Sequence, residues 1–325
     1  MGDILMKKSI VFLFLGLSLI TFVNPVLSES TKIYKTEDIE DYLQMSLVVG
    51  NDFLLFNRDL SFSQTKHFRN QINRDNLTKR MVTKELIKDK YNKRFGRNLS
   101  KIVLVENDNL RWKMLGTQLA YHLNCPVYFS LSERIKEKTK EMIVMGTGNK
   151  LQESNIKSLK KFKTAYHYYR YVTKDKKMQI KLDDDLYGIM GAHFANCKDG
   201  FITFDSIEKI NGSVVTWVTN SSDLREEKIL EFQNSMDFDG DGIYDYPFGI
   251  LTGINASDLS LYVERIRYFK SHSLKNHKLL SLNTDTVGGK KAKETGKYKI
   301  VRLNGKAATT KNLESELKDT TYFHF

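Results

Sequence analysis

From Leu47 onward, short apolar runs alternate with longer stretches of helical composition. "DFLLF" is a compact apolar run, and "SQTKHFRNQI" after it has helical character. A long charged helix is expected from Thr78 to about Arg94, followed by a buried strand in "KIVLVEN". "EMIVMGTGN", "SVVTWVTNSS" and "YPFGILTG" read as further strands. Asn255 or Ser257 can cap a helix carrying Leu259, Val263, Ile266 and Phe269 at helical spacing. "KLLSLNTD", "KIVRLNG" and the terminal "TYFHF" complete the series, with a helix in "TTKNLESELK". This alternation predicts an α/β protein: repeated βα units in largely parallel sheets, with helices on their faces.

The pattern contains an internal echo. "LGTQLAYHLNCPVYFS" (Leu115–Ser130) can be laid against "MGAHFANCKDGFITF" (Met190–Phe204). Each has an early Gly, an Ala and a His in a helical stretch, an Asn-Cys pair and a β-rich run; chance similarity competes with true repetition. The expected organisation is a signal segment over 1–28, an α/β domain over 29–180 and a second over 181–325. The last reads as incomplete, because function in open α/β sheets sits at the carboxyl ends of strands and "TYFHF" stops where such a site begins.

Charge narrows the partners. A net charge of +12 favours nucleic acid, acidic polymers or membrane surfaces. A general lysine bias explains it equally, since the lysines are spread along the chain. Lys7 and Lys8 precede "SIVFLFLGLSLITFV" and then the small residues of "VLSES", the pattern of a secretory signal starting at Met6, with an uncleaved anchor as the alternative. No second apolar stretch reaches spanning length, so no transmembrane helix is expected in the mature chain, which is placed outside the cell or in its envelope. That location argues against nucleic acid. Cys125 and Cys197 are too few for a disulfide scaffold, and one bridge between them stays open.

Candidate chemistry concentrates in "DFDGDGIYD". Asp237, Asp239 and Asp241 fall at positions 1, 3 and 5 of a calcium loop, the Ile243 carbonyl at 7 and Asp245 at 9. Phe248 stands where a bidentate Glu closes an EF-hand, so a full EF-hand is excluded and a compact, structural calcium loop is expected, against a solvated acidic turn. His193 and Cys197 share a helix face, but no third group is evident to orient them, and side-by-side packing is the simpler reading. "MGTGNK" lacks the endings of a phosphate loop. "KSLKKFKTAYHYYRYVTKDKK" mixes bases and aromatics, either as a polyanion-binding stripe or as a strand with one buried face.

Over Asp237–Lys270 the sequence resembles the gingipain-type cysteine peptidases of the caspase-like group: an Asp/Gly loop, a strand at Phe248–Leu251, then a helix holding Arg265, Ile266, Tyr268 and Phe269. The family's Arg in that strand is missing. The resemblance implies a caspase-like, Rossmann-like fold for the C-terminal part and a polypeptide substrate. It also places the catalytic His and Cys beyond residue 325, so no catalytic residue is assigned here. "KIVLVENDNLRWKMLGTQLAYHLNCPVYFS" (101–130) is similar in pattern to the cell-wall-binding repeats of surface proteins. That resemblance implies a non-catalytic protein that meets anionic envelope polymers.

Overall fold

The computed structural model describes residues 32–56, 78–96, 100–130, 139–146, 156–241, 245–246, 248–268, 278–282, 299–303, 309, 312 and 322–324. The signal expected over 1–28, the helix in "SQTKHFRNQI" and most of "MGTGNK" and "TTKNLESELK" lie outside these residues. The chain divides into two bodies, Met1–Tyr268 and Phe269–Phe325.

The first body is three successive α/β repeats. The first runs through β1 (Lys32–Thr36), α1 (Ile39–Val48), β2 (Phe53–Phe56), β3 (Thr78–Met81) and α2 (Lys84–Phe95). The second comprises β4 (Lys101–Glu106), α3 (Leu110–His122), β5 (Val127–Tyr128), β6 (Glu141–Gly146), β7 (Ile156–Leu159) and α4 (Phe162–Val172). The third comprises β8 (Met178–Leu182), α5 (Leu186–Cys197), β9 (Phe201–Thr203), β10 (Val214–Val218), α6 (Glu226–Asn234), β11 (Phe248–Leu251) and α7 (Ala256–Tyr268). The sheets are β2-β1-β3, β5-β4-β6-β7 and β9-β8-β10-β11. All pairings are parallel, and in each repeat the second strand lies at the edge beside the first. The second body, taken by itself, holds β12 (Lys278–Leu282), β13 (Lys299–Leu303) and β14 (Tyr322–His324) in the same parallel order, β13-β12-β14. The boundary expected at 180/181 runs through β8.

Local chemistry explains where elements start and stop. Asp38, Asn109 and Asp185 cap α1, α3 and α5, each accepting a first-turn N–H. Two residues past each helix the backbone turns left-handed, at Gly50 (φ 59), Asn124 (φ 48) and Asp199 (φ 51). Gly, Asn and Asp are the residues that tolerate this conformation, which satisfies terminal carbonyls and sends the chain into the edge strand. These three turns set the true register of the repeat. The early glycines match, but Asn124–Cys125 follows its helix while Asn196–Cys197 lies inside one, so the two Asn-Cys pairs are not equivalent. Thr78–Met81, expected within a helix, instead pairs with β1. The helix begins only where the Thr83 hydroxyl accepts the Leu86 N–H at 3.2 Å.

The core forms where α1, α3 and α5 pack against one another. Gly116 and Gly191, eight residues before their left-handed turns, bring α3 and α5 close to their own strands. A Cβ at Gly116 would sit 2.2 Å from Val105 Cγ2, and one at Gly191 2.3 Å from Leu182 Cδ2. A polar chain links the three helices: Gln118 Nε2 donates to Asn196 Oδ1, and Asn196 Nδ2 donates to Ser46 Oγ at 3.1 Å.

Valine at 105 is stiff at χ1 and cannot swing away. Gly116→Ala is therefore expected to cost about 1–3 kcal/mol in denaturant unfolding. Gly249→Ala, where a Cβ meets nothing within 4 Å, serves as the neutral control. Equal losses at both positions would contradict this packing account.

Candidate functional site

In each repeat of the first body the edge at the second strand is sealed by side chains of another repeat's last helix. In the first repeat, α7 lies along β2. Phe56 N–H donates to Ser260 Oγ and Leu54 N–H to Glu264 Oε1, both at 3.0 Å, while Arg267 Nη1 donates to the Asp52 carbonyl at 3.1 Å. Residues 260, 264 and 267 share one helix face, and a strand turns every second peptide outward, so an antiparallel helix matches that edge. On β5, Tyr91 of α2 and Gln44 of α1 both donate to the Val127 carbonyl, at 3.2 and 3.0 Å. On β9, Ile202 N–H donates to Tyr169 Oη of α4 at 2.8 Å. The first repeat thus covers the second, the second covers the third, and the third closes back on the first.

At that closure lies a buried ionisable cluster. His193 Nε2 is 2.8 Å from Glu264 Oε1, and both side chains are almost fully buried. The Cys197 sulfur lies 3.7 and 3.8 Å from the two imidazole nitrogens. Glu264 is the third group that sequence spacing could not supply, because 71 residues separate it from His193. Counting back six residues from each left-handed turn gives Gln44, Gln118 and His193, so the histidine occupies a position where the other repeats bridge with glutamine. The Tyr42 ring meets His193 edge-on at 5.7 Å, and its buried hydroxyl has no hydrogen-bond partner among the described residues. Burial beside Glu264 and Cys197 pushes the Tyr42 phenol well above its ordinary range. The imidazole is fully buried among the described residues, and the cluster braces the helices around it. Both cysteines are free thiols, and burial pushes the Cys125 thiol up to about 12.

The Asp-rich loop stands apart, between α6 and β11. Donor oxygens of Asp237, Asp239 and Asp245 come within 4.8 Å of one another. Asp237 accepts the Gly240 N–H at 2.8 Å, Asp245 accepts the Phe238 N–H at 2.7 Å, and Asp245 N–H donates to the Met236 carbonyl at 2.8 Å. Gly240 adopts φ 74, the left-handed turn that folds the carboxylates together. Three hard oxygens converging from one loop suit a divalent cation such as calcium, with further oxygens completing the shell. Asp241 is not among the three, its N–H instead donating to Asp239 at 3.2 Å, and Ile243 lies outside the described residues. The loop is anchored by Met236 and Tyr246 in a small apolar cluster with Trp217 and Phe232. Phe238 also lines an open cleft of about 400 Å³, with Lys181, Asp183, Asp205 and Trp217.

The basic-aromatic segment is neither all stripe nor strand. Its centre is the helix α4, which buries Ala165 and Tyr169 and turns Tyr171 to solvent. Tyr166, Tyr169 and Phe162 recur every three to four residues, the helical period that a strand reading overlooks.

No protein-family model and no curated protein matches the chain. Among solved structures it is similar to a "putative hydrolase" from Bacteroides thetaiotaomicron VPI-5482, at 12% identity and a TM-score of 0.44, covering 78% of this chain and 51% of that one. It is also similar to Cwp8 from Clostridium difficile, at 13% identity and a TM-score of 0.34, covering 91% of this chain and 65% of that one. The chain thus spans about half the length of the first and under two thirds of the second. Likenesses this distant carry no functional argument. Among the described residues no helix is long and apolar enough to cross a membrane.

The buried cluster generates a pH signature. Burial disfavours the His193 imidazolium, but the neighbouring Cys197 and Glu264 outweigh that penalty and raise its pKa to about 9. The resulting stabilisation is complete below the unfolded value of about 6.5 and is lost as pH rises through about 9. Melting temperatures recorded from pH 6 to 10 should fall across that window. His193→Gln, the residue used at 44 and 118, should flatten the decline; superimposable profiles would rule the linkage out.

Proposed function

We propose that this chain is a non-catalytic binding protein of the cell envelope, whose repeated α/β scaffold presents a surface to an anionic envelope polymer. The observation that supports it is repetition: the same parallel strand order, helix cap and left-handed turn recur through three repeats closed in a ring. A scaffold of repeated units leaves an outer helix face on each repeat that can be adapted to a partner without disturbing closure. The +12 charge favours an anionic partner, and the secretory signal expected over 1–28 favours an envelope location.

The expected result is sedimentation of the purified chain with protein-stripped cell walls that carry anionic polymers. Binding should weaken steeply with added salt and disappear when hydrofluoric acid has removed those polymers. Salt-insensitive binding, or peptide hydrolysis abolished by thiol alkylation, would overturn the reading.

We further propose that calcium braces the Asp237–Asp245 loop. The converging carboxylates of Asp237, Asp239 and Asp245 support this, with the Ile243 carbonyl and Asp241 as further candidate oxygens. A saturating ion raises stability by about 2.7 kcal/mol at a hundredfold excess over Kd. Calcium should therefore raise the melting temperature of the wild type but not of Asp239→Asn/Asp245→Asn. An unchanged wild-type melt in millimolar calcium would remove the ion from the description.

A further inference from the structure

The second repeat carries a surface that ring closure does not explain. Between Ile156 and Lys177 there are seven lysines and Arg170 against a single acid, Asp175. Arg170 is held by Glu208 at 2.7 Å, and Lys176 by Asp199. Among the described residues, Lys160, Lys161, Lys163, Lys174 and Lys177 have no carboxylate partner. Lys163, His167 and Tyr171 follow one another at helical spacing along the outer face of α4, Lys174 lies in the turn just past its end, and all four are exposed. Tyr171 is 70% exposed, with the Lys174 ammonium 5.8 Å from its ring centre, and Lys157 lies 3.4 Å over the half-buried Tyr168.

The two equivalent helices show that this character is not a structural requirement. α2 does the same sealing work with Glu85 and Asp89 among its bases, and α7 includes Asp258 and Glu264. α4 has no acid at all. Its buried side, Ala165 and Tyr169, is committed to the core, so it has no apolar face to lay into a bilayer. Lysines interspersed with the exposed Tyr171 and half-buried Tyr168 rings suit an anionic chain whose units also have flat faces to cover.

We infer that the outer face of α4, with Lys157 and Lys160 beside it, is the docking surface for an anionic polysaccharide. The ammonium groups meet its charges, and Tyr168 and Tyr171 meet its sugar faces. This rests on the envelope-binding reading and assigns its location within the chain.

Dextran sulfate and uncharged dextran are the probes, since they share a backbone and differ in charge. The wild type should bind dextran sulfate in a salt-dependent manner and ignore dextran. Lys163→Glu/Lys174→Glu should weaken binding by at least about thirtyfold, taking roughly fivefold for each lysine charge removed at a polyanionic surface and a further loss from its reversal. Lys88→Glu/Lys93→Glu on α2 changes the net charge equally and should weaken it less than about threefold by the same screening logic. Tyr171→Ala should reduce affinity while leaving the salt slope unchanged. Equal losses in the two double variants, or tighter binding to duplex DNA than to dextran sulfate at the same ionic strength, would overturn the assignment. If the α4 double variant still sediments fully with polymer-bearing walls, the location fails while envelope binding stands. If the wild type binds neither walls nor dextran sulfate, both fail.

Discussion

The fold depends on how three buried sheet edges are satisfied. A parallel sheet in the order seen here leaves the second strand with one row of unpaired peptide groups, and removing such groups from water without partners costs about 1–3 kcal/mol each. Here the missing neighbour is a helix. Ser260, Glu264 and Arg267 meet β2, Tyr91 and Gln44 meet β5, and Tyr169 meets β9. Because α7 seals a strand some two hundred positions earlier, the third repeat completes the first, and no repeat satisfies its own edge with its own last helix.

That arrangement gives the His193–Glu264 pair its meaning. Glu264 accepts a β2 peptide N–H, meets the imidazole and lies 3.3 Å from Arg267 Nη1, so one buried carboxylate ties α5, α7 and β2 together. The nearby thiol invites a catalytic reading, yet the imidazole has no access to solvent and the acid is spent on backbone. A buried pair of this kind is strongly destabilising to break on one side only, which suits a fastening point. The equivalent glutamines at 44 and 118 do comparable bridging without charge, and the charged version occurs where the ring must close over the longest sequence separation.

With inner faces occupied by closure, what remains for partners is the outside. The Asp-rich loop is held on an outer apolar cluster of the third repeat, away from the central helices. α4 divides its labour, one face sealing β9 and the other presenting lysine and tyrosine to solvent. Divergence among repeats is therefore expected on such outer faces, where closure imposes no residue type.

The alternation of apolar runs and helical stretches was enough to determine the α/β class, because burial on both faces of a parallel strand writes continuous apolar runs such as "KIVLVE" and "DFLLF". The convergence of Asp237, Asp239 and Asp245 was legible too, because the carboxylates of one short loop are local in sequence. The correct register of the repeat was not. Gly50, Asn124 and Asp199 share a backbone conformation and not a residue type, so only φ reveals their equivalence. Nor could spacing pair His193 with Glu264 or Ser260 with Phe56, since edge sealing joins residues that only the closed ring brings within 3 Å or so. What the tertiary structure decided was which helix covers which edge. That choice follows from satisfying buried peptide groups across the whole ring, a condition no single segment of sequence contains.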